Sequence, residues 1–165
     1  MRLLPASIAL LGLAVFAGQA MARDSLGVFG GWGAFADPDK GRCYAIAKAI
    51  PSRLQRDYEP YATVGTWPGR KVRNQVHFRM SRKLAADPRL SIIIGGERYK
   101  LTGGGGDAWA PDARTNAAIL AAMRSARSMT VSASGANGQR FSNTWPLAGA
   151  ATAMDAASLG CARRR

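Results

Sequence analysis

The chain has 165 residues, 23 of them Lys or Arg and 10 Asp or Glu, a formal net charge of +13 with its one histidine neutral. A single histidine and two cysteines exclude a multi-histidine metal centre and a cysteine-rich zinc module, and the length fits one domain with one core. A field this basic opposes self-association and attracts polyanions and anionic lipid headgroups. Arginine outnumbers lysine by 18 to 5, as GC-rich coding would produce, but such a bias does not explain the shortage of acids.

Met1 and Arg2 form a short basic start, residues 3–17 an almost unbroken apolar run, and Ala20-Met21-Ala22 a small-x-small site. This is the pattern of a cleaved secretory signal peptide at residues 1–22, with the cut between Ala22 and Arg23. The run is too short for a spanning helix, an uncleaved anchor being the alternative. Removing 22 residues leaves a single domain of 143, with 22 basic and 10 acidic side chains, a formal +12. Its expected location is the periplasm or the extracellular or outer surface, with no transmembrane segment after cleavage. There the available polyanions are lipopolysaccharide phosphates, teichoic or nucleic acids and sulfated host glycans, and specific nucleic-acid recognition is not expected. In an oxidising compartment the lone pair Cys43 and Cys161 is expected to form one disulfide, two buried free thiols being the alternative. Closing a loop of this length stabilises a fold by roughly 4–5 kcal/mol in the chain-entropy model.

Residues 27–36, rich in glycine and aromatics, read as a first strand with a bulge or close backbone approach. Asp37-Pro38-Asp39-Lys40-Gly41 is a turn, and residues 42–50 a second strand carrying Cys43. A polar stretch at 52–60 leads to a short β-prone run at 61–67, ended by Pro68-Gly69. Residues 71–81 alternate most clearly: Val72, Val76, Phe78 and Met80 share one face, with Asn74 the exception, and Lys71, Arg73, Gln75, His77 and Arg79 share the other. Gly95-Gly96 between β-prone runs at 90–94 and 97–101 predicts a tight hairpin. Gly103 to Gly106 reads as loop.

Pro111-Asp112 opens an amphipathic helix over about 111–126, with Ile119, Leu120 and Met123 at helical spacing. Residues 128–134 and 140–147 form a second hairpin around Gly135 to Gly138. The alanine-rich stretch at about 149–159 is a short C-terminal helix, ended by Gly160 before Cys161. The expected fold is mainly β (α+β), an antiparallel β-sandwich or open barrel with these two helices at its edge.

The second half carries a resemblance. Asp107-Ala-Trp-Ala110, a helix containing Ile119-Leu-Ala-Ala-Met123, then Met129-Thr-Val131, the Gly138 turn, Thr144-Trp-Pro-Leu147-Ala-Gly149 and a small-residue helix ending in Cys161 follow one another in order. This order resembles the invasion-associated locus B (IalB) family of exported alphaproteobacterial proteins. Trp32, Cys43, Gly95-Gly96, Trp109, Met123 with Met129, Leu147 with Gly149, and Cys161 stand in the family's usual places. Asn143 to Pro146, Ala150 and the loop between Arg82 and Arg89 depart from it, so the chain reads as a divergent member. The resemblance implies a small periplasmic or surface protein, associated in some members with host-cell entry, and no established catalytic residues.

No sequence pattern for catalysis stands out. His77 lies on the basic strand face and reads as an exposed histidine; a hydrolase built on it would need a distant Asp, and no Gly-x-Ser-x-Gly supports one. Gly103 to Gly106 lacks the Gly-Lys-Ser or Gly-Lys-Thr of a phosphate loop. Asp37 and Asp39 belong to a turn, and Trp32, Trp67, Trp109 and Trp145 read as core and turn anchors. Neither a cofactor nor a metal is expected. The candidate anion-binding residues are Lys71, Arg73 and Arg79, since alternate strand positions about 6.7 Å apart would line up along an extended polyanion. Arg163, Arg164 and Arg165 add to the same field or form a disordered tail. The sequence thus points to a non-enzymatic envelope protein that binds anionic envelope or host-surface components, with a polyanion-binding periplasmic module as the second reading.

Overall fold

A computed structural model describes residues 23–53 and 55–162. The expected leader at 1–22, ending at Ala22, and the arginine tail at 163–165 lie outside the described residues. Eleven strands and two helices are present: β1 (Asp24–Phe29), β2 (Trp32–Asp37), β3 (Arg42–Lys48), β4 (Tyr61–Trp67), β5 (Val72–Arg79), β6 (Ser91–Ile94), β7 (Glu97–Lys100), β8 (Thr102–Gly104), β9 (Asp107–Trp109), α1 (Ala113–Ser125), β10 (Ser128–Ser134), β11 (Arg140–Pro146) and α2 (Ala150–Ala162). They build two antiparallel sheets, one ordered β1-β2-β3-β4-β5-β9-β8 and the other β11-β10-β6-β7. This is the mainly β, sandwich-like architecture expected from the alternating patterns.

Period-two alternation decides which side of each sheet is dry. Ala34 and Ala36 of β2, Cys43 and Ala45 of β3, Val64 of β4, and Val76 and Phe78 of β5 are buried on the inner side of the larger sheet. Ile92, Ile94, Met129, Val131, Phe141 and Trp145 fill the facing side of the smaller one. Phe78 and Trp145 meet with ring centroids 5.6 Å apart, and Trp32 Nε1 donates to the Pro146 carbonyl at 2.9 Å. Buried Asn143 accepts from the Ser81 amide at 2.9 Å, whereas the buried Trp145 Nε1 in the same layer has no hydrogen-bond partner among the described residues.

The smaller sheet does not cover the inner side of β1 to β3; α2 does. Its buried residues include Ala150, Ala153, Ala157, Gly160 and Cys161, and β2 and β3 bury Ala34, Ala36, Ala45 and Ala47, so small residues on both partners let the helix lie close to the sheet. Cys43 and Cys161 are joined as a disulfide with Cα atoms 5.7 Å apart, clasping β3 to the last turn of α2. At the other helix Asp112 caps α1, accepting from the Thr115 amide at 2.7 Å, and Ile119 and Met123 are buried.

Several local expectations are corrected. Residues 27–36 are parts of two strands, with Gly30-Gly31 turning between them. Only half of the run from Gly103 to Gly106 is loop: Gly105 and Gly106 form the turn, while Gly103 and Gly104 pair with Ala108 and Asp107, glycine allowing the two backbones to close up. Pro111 precedes the Asp112 cap and lies outside α1. Helix α2 runs through Gly160 to Ala162; Leu26 occupies the space a Cβ on Gly160 would take, so the glycine is a point of close contact and not a stop. Lys71 lies outside β5, ending a single 3-10 turn (Pro68–Arg70) with φ 56°. Among the described residues no helix is long and apolar enough to cross a membrane.

Candidate ligand-binding face

The smaller sheet and both helices cover the inner side of the larger sheet, leaving its other side to solvent, and strand register fixes what that side carries. Ile46, Thr63, His77 and Trp109 are consecutive cross-strand partners over β3, β4, β5 and β9. On one side of this row Phe35, Tyr44, Gly65 and Gln75 are partners over β2 to β5. On the other side, Lys48, Tyr61, Arg79 and Asp107 are partners over β3, β4, β5 and β9. Four residues beyond Thr63, Trp67 folds back over the sheet. A Cβ on Gly65 would stand 2.6 Å from its ring, and one on Gly33 would stand 2.7 Å from the ring of Phe35. Both aromatics therefore lie down on a glycine two residues earlier in their own strand.

Between these side chains lies an open recess of about 540 Å³, lined among others by Arg23, Arg42, Tyr61, Trp67, His77 and Trp109. Polar groups on and beside it are linked by hydrogen bonds. Asp107 accepts from Arg79 Nη1 at 2.6 Å and lies 2.9 Å from His77 Nε2, while His77 Nδ1 is 3.5 Å from the Thr63 hydroxyl. The His77 ring stands 5.2 Å from Trp109 and 5.9 Å from Tyr61, centroid to centroid. At the opposite rim buried Asp37 accepts from Arg42 Nε at 3.3 Å, with Arg23 Nε 3.9 Å away, and the Arg42 guanidinium lies 4.7 Å over the Tyr44 ring.

Thr63, His77 and Asp107 form a hydroxyl–imidazole–carboxylate chain, the types used in nucleophilic hydrolysis. Catalysis of that kind also needs free donors where an oxyanion would form. Strand β4 is bonded to β3 on one edge and β5 on the other, so its backbone amides are spent in the sheet. Among the described residues no group of three or more His, Cys, Asp or Glu side chains is placed to hold a metal ion.

The three cations singled out in the sequence do not form an even line. Asn74 has φ 48° and turns inward, where its amide donates to Thr66 Oγ1 at 3.0 Å and its side-chain oxygen accepts from Ser158 at 3.1 Å. This irregularity separates Lys71 and Arg73, both exposed beside Arg70, from the rest of β5. Arg79 stays on the outer face but is committed to Asp107 and stacks 3.8 Å over the Tyr58 ring. Asp37 leaves the expected turn and ends β2 as a buried partner of Arg42. Trp32 and Trp145 are core anchors as expected, whereas Trp67 and Trp109 are partly buried and line the recess. The sequence signal for Trp67 was the glycine two residues before it, a pattern shared by Gly33 and Phe35.

Comparison with protein-family models, with curated proteins and with solved structures finds no match. The functional reading therefore rests on this face and on the chain's own sequence.

Proposed function

We propose that this is an exported cell-envelope protein of the IalB type that acts by binding, and that the outer face of its larger sheet takes an anionic ligand such as lipopolysaccharide or another polyanion. The leader-like start, the Cys43–Cys161 clasp and the order of motifs from Asp107 to Cys161 support the envelope setting. The observation that carries the binding reading is the open recess flanked by Arg23 and Arg42, in a chain with a formal charge of +13.

The test is titration of the purified exported protein with lipopolysaccharide and with heparin at increasing salt. Binding that weakens steeply with ionic strength, and weakens further in an Arg23→Ser/Arg42→Ser double variant, is the expected result. Salt-independent binding, or none to either probe, would overturn it.

A further inference from the structure

We infer that the occupant of this face is an acidic polysaccharide, with sugar rings stacked on Trp67 and Trp109 and its carboxylate or sulfate groups paired with Arg23 and Arg42. The inference rests on the anion-binding reading above and narrows it to a ligand class.

The ring placement comes first. The six-membered ring of Trp67 occupies the space a Cβ on Gly65 would take, which fixes the indole against the sheet, and the ring borders the recess. Trp109 stands two strands away in the row of Thr63, four residues along β4 from Trp67, and borders the same recess. Flat aromatic faces held apart on a rigid surface suit the C–H face of a pyranose ring, and the sheet has already restricted Trp67 before binding.

The ground between the rings is polar. The Thr63 hydroxyl, the exposed Gln75 amide and the His77–Asp107 pair offer both donors and acceptors. A lipid tail or an apolar peptide segment laid here would strip water from these groups without replacing its hydrogen bonds. Sugar hydroxyls donate and accept and would pair with them.

Charge separates a polysaccharide from a nucleic acid. Arg23 and Arg42 both lie against Asp37 at one rim, and Asp37 holds Arg42 beside the recess. At the other end Arg79 is neutralised by Asp107, whose carboxylate also faces the row that carries His77 and Trp109. A strand with a phosphate at every residue needs cations along its whole path and would meet that carboxylate. A chain with sparser charge satisfies the arginine rim and leaves Asp107 to accept from hydroxyls.

The test follows tryptophan fluorescence of the purified exported protein during titration with polygalacturonate and heparin, set against neutral dextran, oligo-dT and polyphosphate. A spectral change with at least one acidic polysaccharide is expected, with binding at least tenfold tighter than to oligo-dT or polyphosphate. Quenching by neutral acrylamide should fall as ligand covers Trp67 and Trp109. Affinity should drop at least tenfold in Trp67→Ala/Trp109→Ala and recover in Trp67→Phe/Trp109→Phe. Binding of oligo-dT or polyphosphate as tight as that of the polysaccharides overturns the inference while leaving the anion-binding reading intact, as does an unchanged affinity in the alanine variant. Binding to none of the anions overturns both. The quenching measurement on the unaltered protein decides the matter even if the double alanine variant does not fold.

Discussion

Trp67 lies over Gly65, two residues before it in β4, with ring atoms where any larger residue would place its Cβ. The pair makes a local device: a glycine that would otherwise weaken a strand is covered by its own neighbour, and the neighbour is laid flat in the process. Gly65→Val is therefore expected to lift the indole off the sheet. Acrylamide should then quench tryptophan emission more strongly, and the fold should lose roughly 1–3 kcal/mol to overpacking. Unchanged quenching would show that the ring does not rest on this glycine.

Gly149, just before α2, has φ 85°, and a Cβ there would run into the Phe29 carbonyl. Gly105 has φ 64° but nothing within 4 Å of the corresponding position. The two separate backbone conformation from contact. Gly105→Ala should cost about 1–2 kcal/mol for the left-handed conformation alone. Gly149→Ala adds a backbone collision that side-chain rotation cannot relieve, and should cost over 2 kcal/mol. Urea midpoints of the two variants at neutral pH make the comparison, and equal losses would remove the Phe29 contact from the account.

The disulfide spans 118 residues and holds α2 over the inner face of β2 and β3. Replacing both cysteines by alanine is expected to lower stability by roughly 4–5 kcal/mol in the chain-entropy model. Amide protection in the last turn of α2 should fall first, because Cys161 lies one residue from the end of the helix. A urea midpoint equal to that of the unaltered protein would mean that the remaining α2 packing suffices.

What could be read in the sequence was what is local in the chain. The Gly95-Gly96 hairpin and the β10–β11 hairpin follow from turn chemistry and flanking β-prone runs, and both formed. The pairing of Cys43 with Cys161 was legible because there was no third cysteine. The Gly30-Gly31 turn was hidden by glycines on both sides of it, at 27 and 33, which removed the contrast a turn needs. The binding face was hidden for a different reason. Thr63, His77 and Asp107 are separated by 14 and 30 residues and meet only through the β4–β5–β9 register. Alternation placed His77 and Arg79 on the wet side of β5, but no local rule placed Asp107 between them. Nor did the cationic line from Lys71 survive, since the inward turn of Asn74 is set by Thr66 and by Ser158 of α2.

Arg124 in the last turn of α1 and Asp155 of α2 form a bidentate pair, with Nη2 2.7 Å from Oδ1 and Nη1 3.2 Å from Oδ2. The hydrogen bonds from Arg124 hold the Asp155 carboxyl below its ordinary value of 3.8, ahead of an opposing burial effect. Folded protein thus binds this proton less readily than unfolded protein. The stabilisation is complete above 3.8 and is lost as pH falls through the lowered folded value. Both side chains are about half exposed, which limits the pair to at most about 1 kcal/mol. Asp155→Asn should therefore be slightly less stable than the unaltered protein at neutral pH, and the gap should shrink as pH drops below 3.8. Paired urea titrations from pH 7 downward measure it. A gap that stays constant into acid would assign it to the shape of the side chain, because only the ionised carboxylate can give the contribution a pH dependence of this sign.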